Sequence, residues 1–219
     1  MSTVLRIEAI LREANAILEN DHFVCVNGNH SAGWVDKDAI NLHPPLVSEL
    51  CQMLAHASAE LGGEIVCGPA QGGLIVAMWT AFHAQRPMVY LERAPAEQHE
   101  LAGRFIFRRG YDRWVKGKRV LIVDDVVNTG HSIKQTVGAI EAAGGTVAGI
   151  ACYVDRGNIT AADLGGFPYQ YLMQLKIPSW PETEAPAEVL ARPVNIRYAH
   201  GAEYVARKQA ANADRRQVF

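Results

Sequence analysis

The densest chemistry in this sequence lies in one stretch, Asp124-Asp125-Val126-Val127-Asn128-Thr129-Gly130-His131-Ser132. It follows Val120-Leu121-Ile122-Val123, an apolar run of the kind that fills the buried centre of a parallel sheet. Two carboxylates stand where that strand is expected to end. A Thr-Gly-x-Ser turn then leads into a segment with helical periodicity, from about His131 to Ala143. A helix N-terminus presents unpaired N–H groups and the positive end of its dipole. Gly130 lets the backbone approach an anion closely, and Thr129 and Ser132 add hydroxyl donors, so the turn reads as a phosphate cradle. An acidic pair beside a phosphate repels it unless something lies between them. Sugar hydroxyls or Mg²⁺ would serve, because carboxylates accept hydrogen bonds and coordinate hard cations. The implied ligand is a phosphorylated sugar, with Mg²⁺. The plainer alternative is a helix cap with two solvated acids. A buried strand, adjacent acids and this turn in one unit favour the cradle. The stretch lacks the Gly-Lys-Ser/Thr of a P-loop and the Gly-x-Gly-x-x-Gly of a dinucleotide fingerprint.

The elements that must position this turn can be read from periodicity. Residues 4–19 carry apolar residues at helical spacing. Residues 22–40 are β-rich pieces around the Asn27-Gly28 turn signal. Pro44-Pro45 opens a helix over about 45–61, stopped by Gly62-Gly63. Ile65–Cys67 reads as a strand, 68–73 as a loop, Leu74–Ala84 as a helix and Met88–Leu91 as a strand. Residues 92–104 lack periodicity and read as a mobile loop, and Phe105–Arg119 as an extended pair turning near Gly110. After the helix at 131–143, Gly144-Gly145 ends it and Thr146–Val154 forms a strand, completing a βαβ unit. Tyr169–Ile177 reads as a further strand, followed by a proline-broken segment. The expected fold is therefore α/β: a single domain over 1–219 with a five- or six-stranded, mainly parallel sheet. Its core spans about 45–157, and a small hood is built from about 20–42 with a C-terminal contribution. Ligands of such sheets bind beyond the carboxyl ends of the strands.

At this point the chain resembles a family. VLIVDDVVNTGHS is similar to the phosphoribosyl diphosphate (PRPP) signature of type I phosphoribosyltransferases, and within them the chain is most similar to the orotate-specific branch. The similarity runs from about His22 to Gly157. HFVCVNGNHSAGWVDKDAI resembles the hood and base-binding loop, IVCGPAQGGLIVA the diphosphate loop, and VDRG the strand end that carries an orotate-binding arginine. The resemblance implies transfer of phosphoribosyl from PRPP to a pyrimidine base, with diphosphate leaving together with Mg²⁺. It implies that Thr129, Gly130, His131 and Ser132 hold the 5′-phosphate, that Val126, Val127 and Asn128 also belong to the PRPP site, and that Asp124 and Asp125 contact the ribose as catalytic residues. Ala70, Gln71 and Gly72 would face the diphosphate. Asn128, Arg156 and Trp34 would meet the base, and Arg93 and His99 would stabilise the leaving group. On its own, Trp34 is equally well plain packing; for Arg156 a surface ion pair is the less favoured alternative. Mg²⁺ would be held through the diphosphate, with Asp125 reaching it through water rather than directly. A homodimer is implied in the same way.

The chain departs from the family pattern at its lysines. Ala94, Glu97, Gly72 and Val26 stand where that pattern places lysine or, at Val26, lysine or threonine. Three readings stay open: orotate transfer, transfer to another base, or a non-catalytic regulator that binds PRPP or a nucleotide.

Composition narrows the classes further. The 219 residues carry 21 basic and 23 acidic side chains, a formal charge of −2. Such a balance argues against a nucleic-acid-coating role. The basic stretch from Arg104 to Arg119, with aromatics interleaved, reads as a solvated hairpin or dimer surface. The basic residues comprise six lysines and fifteen arginines. Cys25, Cys51, Cys67 and Cys152 are widely spaced and read as buried free thiols, in keeping with a cytoplasmic protein. No apolar run approaches the ~18 residues that span a bilayer, and the histidines lack metal-ligand spacing.

Overall fold

The computed structural model describes residues 3–97 and 102–217. The chain opens with helix α1 (Thr3–Glu13) and four short strands, β1 (Ile17–Leu18), β2 (Phe23–Val24), β3 (His30–Ser31) and β4 (Trp34–Val35). Helices α2 (Lys37–Ile40) and α3 (Pro44–Ala57) follow, then β5 (Ile65–Pro69), α4 (Gly72–Ala84), β6 (Met88–Arg93), β7 (Phe105–Phe107) and α5 (Asp112–Val115). The rest comprises β8 (Arg119–Val127), α6 (His131–Ala142), β9 (Thr146–Asp155), β10 (Tyr169–Gln174), β11 (Ser179–Trp180), α7 (Ala187–Leu190) and α8 (Gly201–Gln217). Two compact units result. One takes the residues up to Ala14 with Lys37–Lys176, the other Asn15–Asp36 with the residues from Ile177 onward.

The larger unit is built on a six-stranded sheet in the order β10-β9-β8-β5-β6-β7. Every neighbouring pair is parallel except β6 with β7. This is the α/β architecture with a mainly parallel sheet expected from sequence. Strands β5, β8 and β9 are buried almost throughout, as strands covered on both faces must be. Their β-branched residues make the core: Ile65, Val120, Ile122 and Ile150, sealed by Ile133 and Ile140 of α6. Burying each such side chain contributes roughly 1.5–3 kcal/mol. Gly144 closes α6 at φ +78°, a conformation that a side chain at that position would strain.

Several expectations change. β8 runs to Val127 rather than stopping at Val123, because the long buried β9 supplies ladder partners as far as the pair Val127–Asp155. Asp124 and Asp125 therefore sit in the strand itself, not in the loop after it. The first helix ends at Glu13; Asn15 turns the chain at φ +53° and Ile17–Leu18 pair as a strand. Residues 92–104 do not form one loop: β6 continues through Arg93, pairs with Phe105, and the ladder extends through Ala94 and Arg104. Phe105–Arg119 is not an extended pair either. After β7, Arg109 and Gly110 turn in the left-handed region and α5 follows. The alternation of aromatic and basic residues there mimics a strand but reflects exposure.

The smaller unit holds the sheet β11-β3-β2 and the pair β1-β4. His22 and His30 are buried here, with Nε2 of His22 2.6 Å from Nδ1 of His30 and Nδ1 of His22 2.9 Å from the Arg192 carbonyl. Helix α8 was not foreseen. It is polar around most of its circumference, so it gives little of the apolar stripe that marks a surface helix.

Candidate active site

The carboxyl end of β8 gathers the acids. Asp124 is 8% exposed and Asp125 5%. Asp124 Oδ1 accepts the Asp125 N–H at 3.0 Å, and Asp125 Oδ1 accepts the Val126 N–H at 2.6 Å. Burial pushes both carboxyls above the usual carboxylate range; for Asp124 the neighbouring charge of Asp125 adds to it. Asp125 Oδ2 receives no hydrogen bond within the described residues. It faces Lys37 Nζ at 3.2 Å, within ion-pair range. A buried carboxylate oxygen left in this state is expensive for the fold.

Immediately beyond lies the turn. Gly130 caps α6 at φ +71°, and a Cβ there would press on Leu164 Cδ2 at 2.6 Å, so both conformation and space require glycine. Thr129 Oγ1 accepts the His131 N–H at 3.4 Å, and Gln135 Nε2 lies 2.8 Å from His131 Nε2. The first turn of α6 carries no acidic residue to compete with an anion. Residues 126–133 and Asp124 enclose a cavity of about 120 Å³. That is several times the ~30 Å³ share of one liquid water, enough for a phosphate group. Val126 and Val127 belong to its wall as strand residues, while Thr129, Gly130, His131 and Ser132 form its mouth.

The loop after β5 packs against the acids from the neighbouring strand. Ala70 donates its N–H to the Leu91 carbonyl at 2.7 Å, and the Ala70–Gln71 peptide is cis. A Cβ on Gly72 would collide with the Asp125 carboxylate, and one on Gly73 would come within 3.0 Å of Asp124 Oδ1. Ala70, Gln71 and Gly72 are thus brought to the acid pair, and α4 starts at Gly72 rather than at Leu74 because these glycines allow the close approach. Lys37 completes this corner. It was not singled out in the sequence, although it is one of only six lysines and lies inside the segment similar to the base-binding loop. Burial alone would lower its pKa, but the charges of Asp125, Asp124 and Asp38 outweigh that and raise it, so it stays an ammonium.

On the other flank, β9 ends at Asp155, and the chain turns there. Asp155 is fully buried, and its Oδ1 accepts the N–H groups of Gly157 (3.1 Å) and Ile159 (3.3 Å) while Oδ2 accepts from Gln174 Nε2 at 3.1 Å. The Arg156 N–H bonds the Val127 carbonyl at 2.8 Å, and a Cβ on Gly157 would collide with the Asn128 carbonyl. Arg156 and Asn128 therefore meet at the sheet's carboxyl edge. Asp155 and Gly157, which position them, were missed because their role is contact between two loops distant in sequence.

Arg93, at the end of β6, donates to the Gly103 carbonyl at 2.9 Å and lies 4.5 Å over the Phe105 ring. His99 falls outside the described residues. Trp34 belongs to the smaller unit, where its ring stacks near Phe23 with centroids 6.3 Å apart. Among the described residues no cluster of three or more His, Cys, Asp or Glu side chains forms a metal cage.

Comparison with known proteins agrees with this geometry. Residues 38–167 match the phosphoribosyl transferase domain model. An orotate phosphoribosyltransferase of Bartonella henselae is 38% identical over 187 residues, covering 84% of this chain and 91% of that protein. The solved orotate phosphoribosyltransferase of Aeropyrum pernix superposes with a TM-score of 0.61 at 23% identity, over 77% of this chain and 93% of that one. A phosphoribosyltransferase from Corynebacterium diphtheriae does so with 0.61 at 26% identity, over 80% and 96%. With its acid pair and phosphate-sized cradle at the carboxyl end of a parallel strand, the chain belongs to the phosphoribosyltransferase family, with orotate phosphoribosyltransferases among its relatives.

Proposed function

We propose that the protein transfers phosphoribosyl from PRPP to orotate, giving orotidine 5′-phosphate and diphosphate. The observation that carries this reading is the buried Asp124-Asp125 pair directly preceding a phosphate-sized cavity at the N-terminus of α6. The 5′-phosphate sits on the Thr129–Ser132 turn, and the ribose hydroxyls donate to the two carboxylates. Diphosphate faces Ala70, Gln71 and Gly72, with Arg93 and His99 adding positive charge from the β6–β7 connection. Arg156 pairs with the carboxylate of orotate, a planar fork-to-fork match, beside Asn128. Trp34 is the stacking partner that the resemblance implies for the ring. The bond between C1 and the diphosphate oxygen breaks with its electron pair leaving on diphosphate. N1 of the base bonds to C1 and its proton goes to water. Charge develops on the ribose ring and the leaving group, so fixed dipoles and cations lower the barrier more than a strong base would.

The residues present suit Mg²⁺ delivered with the substrate. Asp125 offers a hard oxygen, and with the ammonium beside it the carboxylate would hold Mg²⁺ through water rather than directly. When bound, Mg²⁺ neutralises the diphosphate. A cytoplasmic homodimer is the expected setting. All four cysteines are buried free thiols, and among the described residues no helix is long and apolar enough to cross a membrane.

Diphosphate release measured with PRPP, Mg²⁺ and a panel of bases tests the reading. Release with orotate and not with adenine, uracil or xanthine is expected. Release with another base alone would reassign the substrate. Stabilisation by PRPP without release under any base would make the protein a PRPP-binding regulator.

A further inference from the structure

Resting on the proposed function, one residue deepens it. The diphosphate loop Pro69-Ala70-Gln71-Gly72-Gly73 contains no cation, although the leaving group carries several negative charges. The space a side chain at position 72 would need is already filled. A Cβ there would collide with the Asp125 carboxylate and lie 2.9 Å from Lys37 Nζ. A lysine at 72 would have to displace the buried Asp125 carboxylate and Lys37, and an ammonium already stands at the edge of that loop. Lys37 Nζ lies 3.2 Å from Asp125 Oδ2, and its side chain is 43% exposed, so it is open to a ligand. An ammonium has three donors. The Asp125 carboxylate holds the ammonium at 3.2 Å by charge, and its exposed side leaves these donors for diphosphate oxygens.

We propose that Lys37, at the first residue of α2, supplies the diphosphate-binding cation that the loop at 69–73 lacks, bridging the Asp125 carboxylate and the diphosphate of PRPP. The charge arrives from a different segment, and Gly72 leaves it room. Lys37 is then a catalytic residue that touches the leaving group, and Asp125 holds it in place.

Calorimetric titration of the full chain with three probes tests this: PRPP with Mg²⁺, inorganic diphosphate with Mg²⁺, and orotidine 5′-phosphate, which has no diphosphate. Lys37→Met is expected to weaken the first two by about 10–100-fold and to leave the third within about threefold of wild type. Lys37→Arg should recover most of the loss. Equal weakening of all three probes would mean that Lys37 merely supports Asp125, and would overturn the proposal; so would unchanged diphosphate binding. Should Lys37→Met not fold, Lys37→Gln, uncharged but polar, takes its place. It must weaken PRPP and diphosphate and spare orotidine 5′-phosphate, and equal weakening of all three refutes the assignment. The readout is binding, so this split in a chain that transfers to no base upholds Lys37 and sinks only the orotate reading.

Discussion

At the carboxyl end of β8 the charged groups are buried and incompletely satisfied, while at the carboxyl end of β6 they are more exposed and satisfy one another. Asp124 and Asp125 are 8% and 5% exposed, and Oδ2 of Asp125 has the Lys37 ammonium at 3.2 Å as its partner. Glu92 instead holds Arg108 at 3.2 Å and Arg109 at 3.0 Å, and Arg93 rests on the Gly103 carbonyl and the Phe105 ring. Both strand ends belong to the same sheet and both are rich in charge. They differ in whether the charge has been left available in a place where burial makes it strong. Density of basic residues is therefore a poor guide to function here, and incomplete satisfaction is a better one.

Substitutions at the two ends should separate sharply. In the proposed arrangement, Asp125→Asn removes a contact to the ribose and the anchor of Lys37. A loss of about 10²–10³ in kcat/KM is expected, on the scale of removing one charge-stabilising contact, read by diphosphate release. Arg156→Ala should raise KM for orotate by about 10–100-fold, as loss of a charge-assisted pair does, and leave the Kd for PRPP unchanged. A parallel loss of PRPP affinity would move Arg156 away from the base.

Asp124→Asn should damage activity and yet stabilise the unliganded protein. Its native pKa is raised chiefly by burial, so the folded state holds the proton more tightly than the unfolded one. Stability consequently falls as pH rises from the ordinary carboxylate range, about 4, toward the raised native value. Asparagine, neutral at every pH, removes that cost. A gain of about 2–4 °C in Tm at pH 8, equivalent to ~1 kcal/mol in a chain of this size, is expected, and it should shrink toward pH 4. The smallest effect belongs to the other strand end. Arg109 is an exposed ion-pair partner of Glu92, and exposed pairs contribute about 0–1 kcal/mol. Arg109→Ala should leave kcat/KM within about twofold of wild type, and a tenfold loss would erase the distinction drawn between the two ends.

The cradle was legible in the sequence because it is local: strand, acids, turn and helix N-terminus follow one another within a few residues. The sheet was legible because Val120–Val123 and Thr146–Val154 can hardly be anything but buried strands. What escaped depends on contacts between distant segments. Lys37 approaches Asp125 only once α2 lies beside β8. Asp155 and Gly157 matter through the fit of one loop against another. The extension of β8 to Val127 is dictated by its neighbour β9, and α8 carries too polar a pattern to announce itself. Reading Phe105–Arg119 as a strand pair failed because alternating aromatic and basic residues imitate a half-buried strand.

A crystal structure of the chain with ribose 5-phosphate bound tests most directly the claim that the carboxyl end of β8 is the PRPP site. The expected result places the phosphate against the backbone N–H groups of residues 129–132 and the ribose hydroxyls on Asp124 and Asp125. Ligand bound elsewhere, with this turn left to solvent, would contradict it.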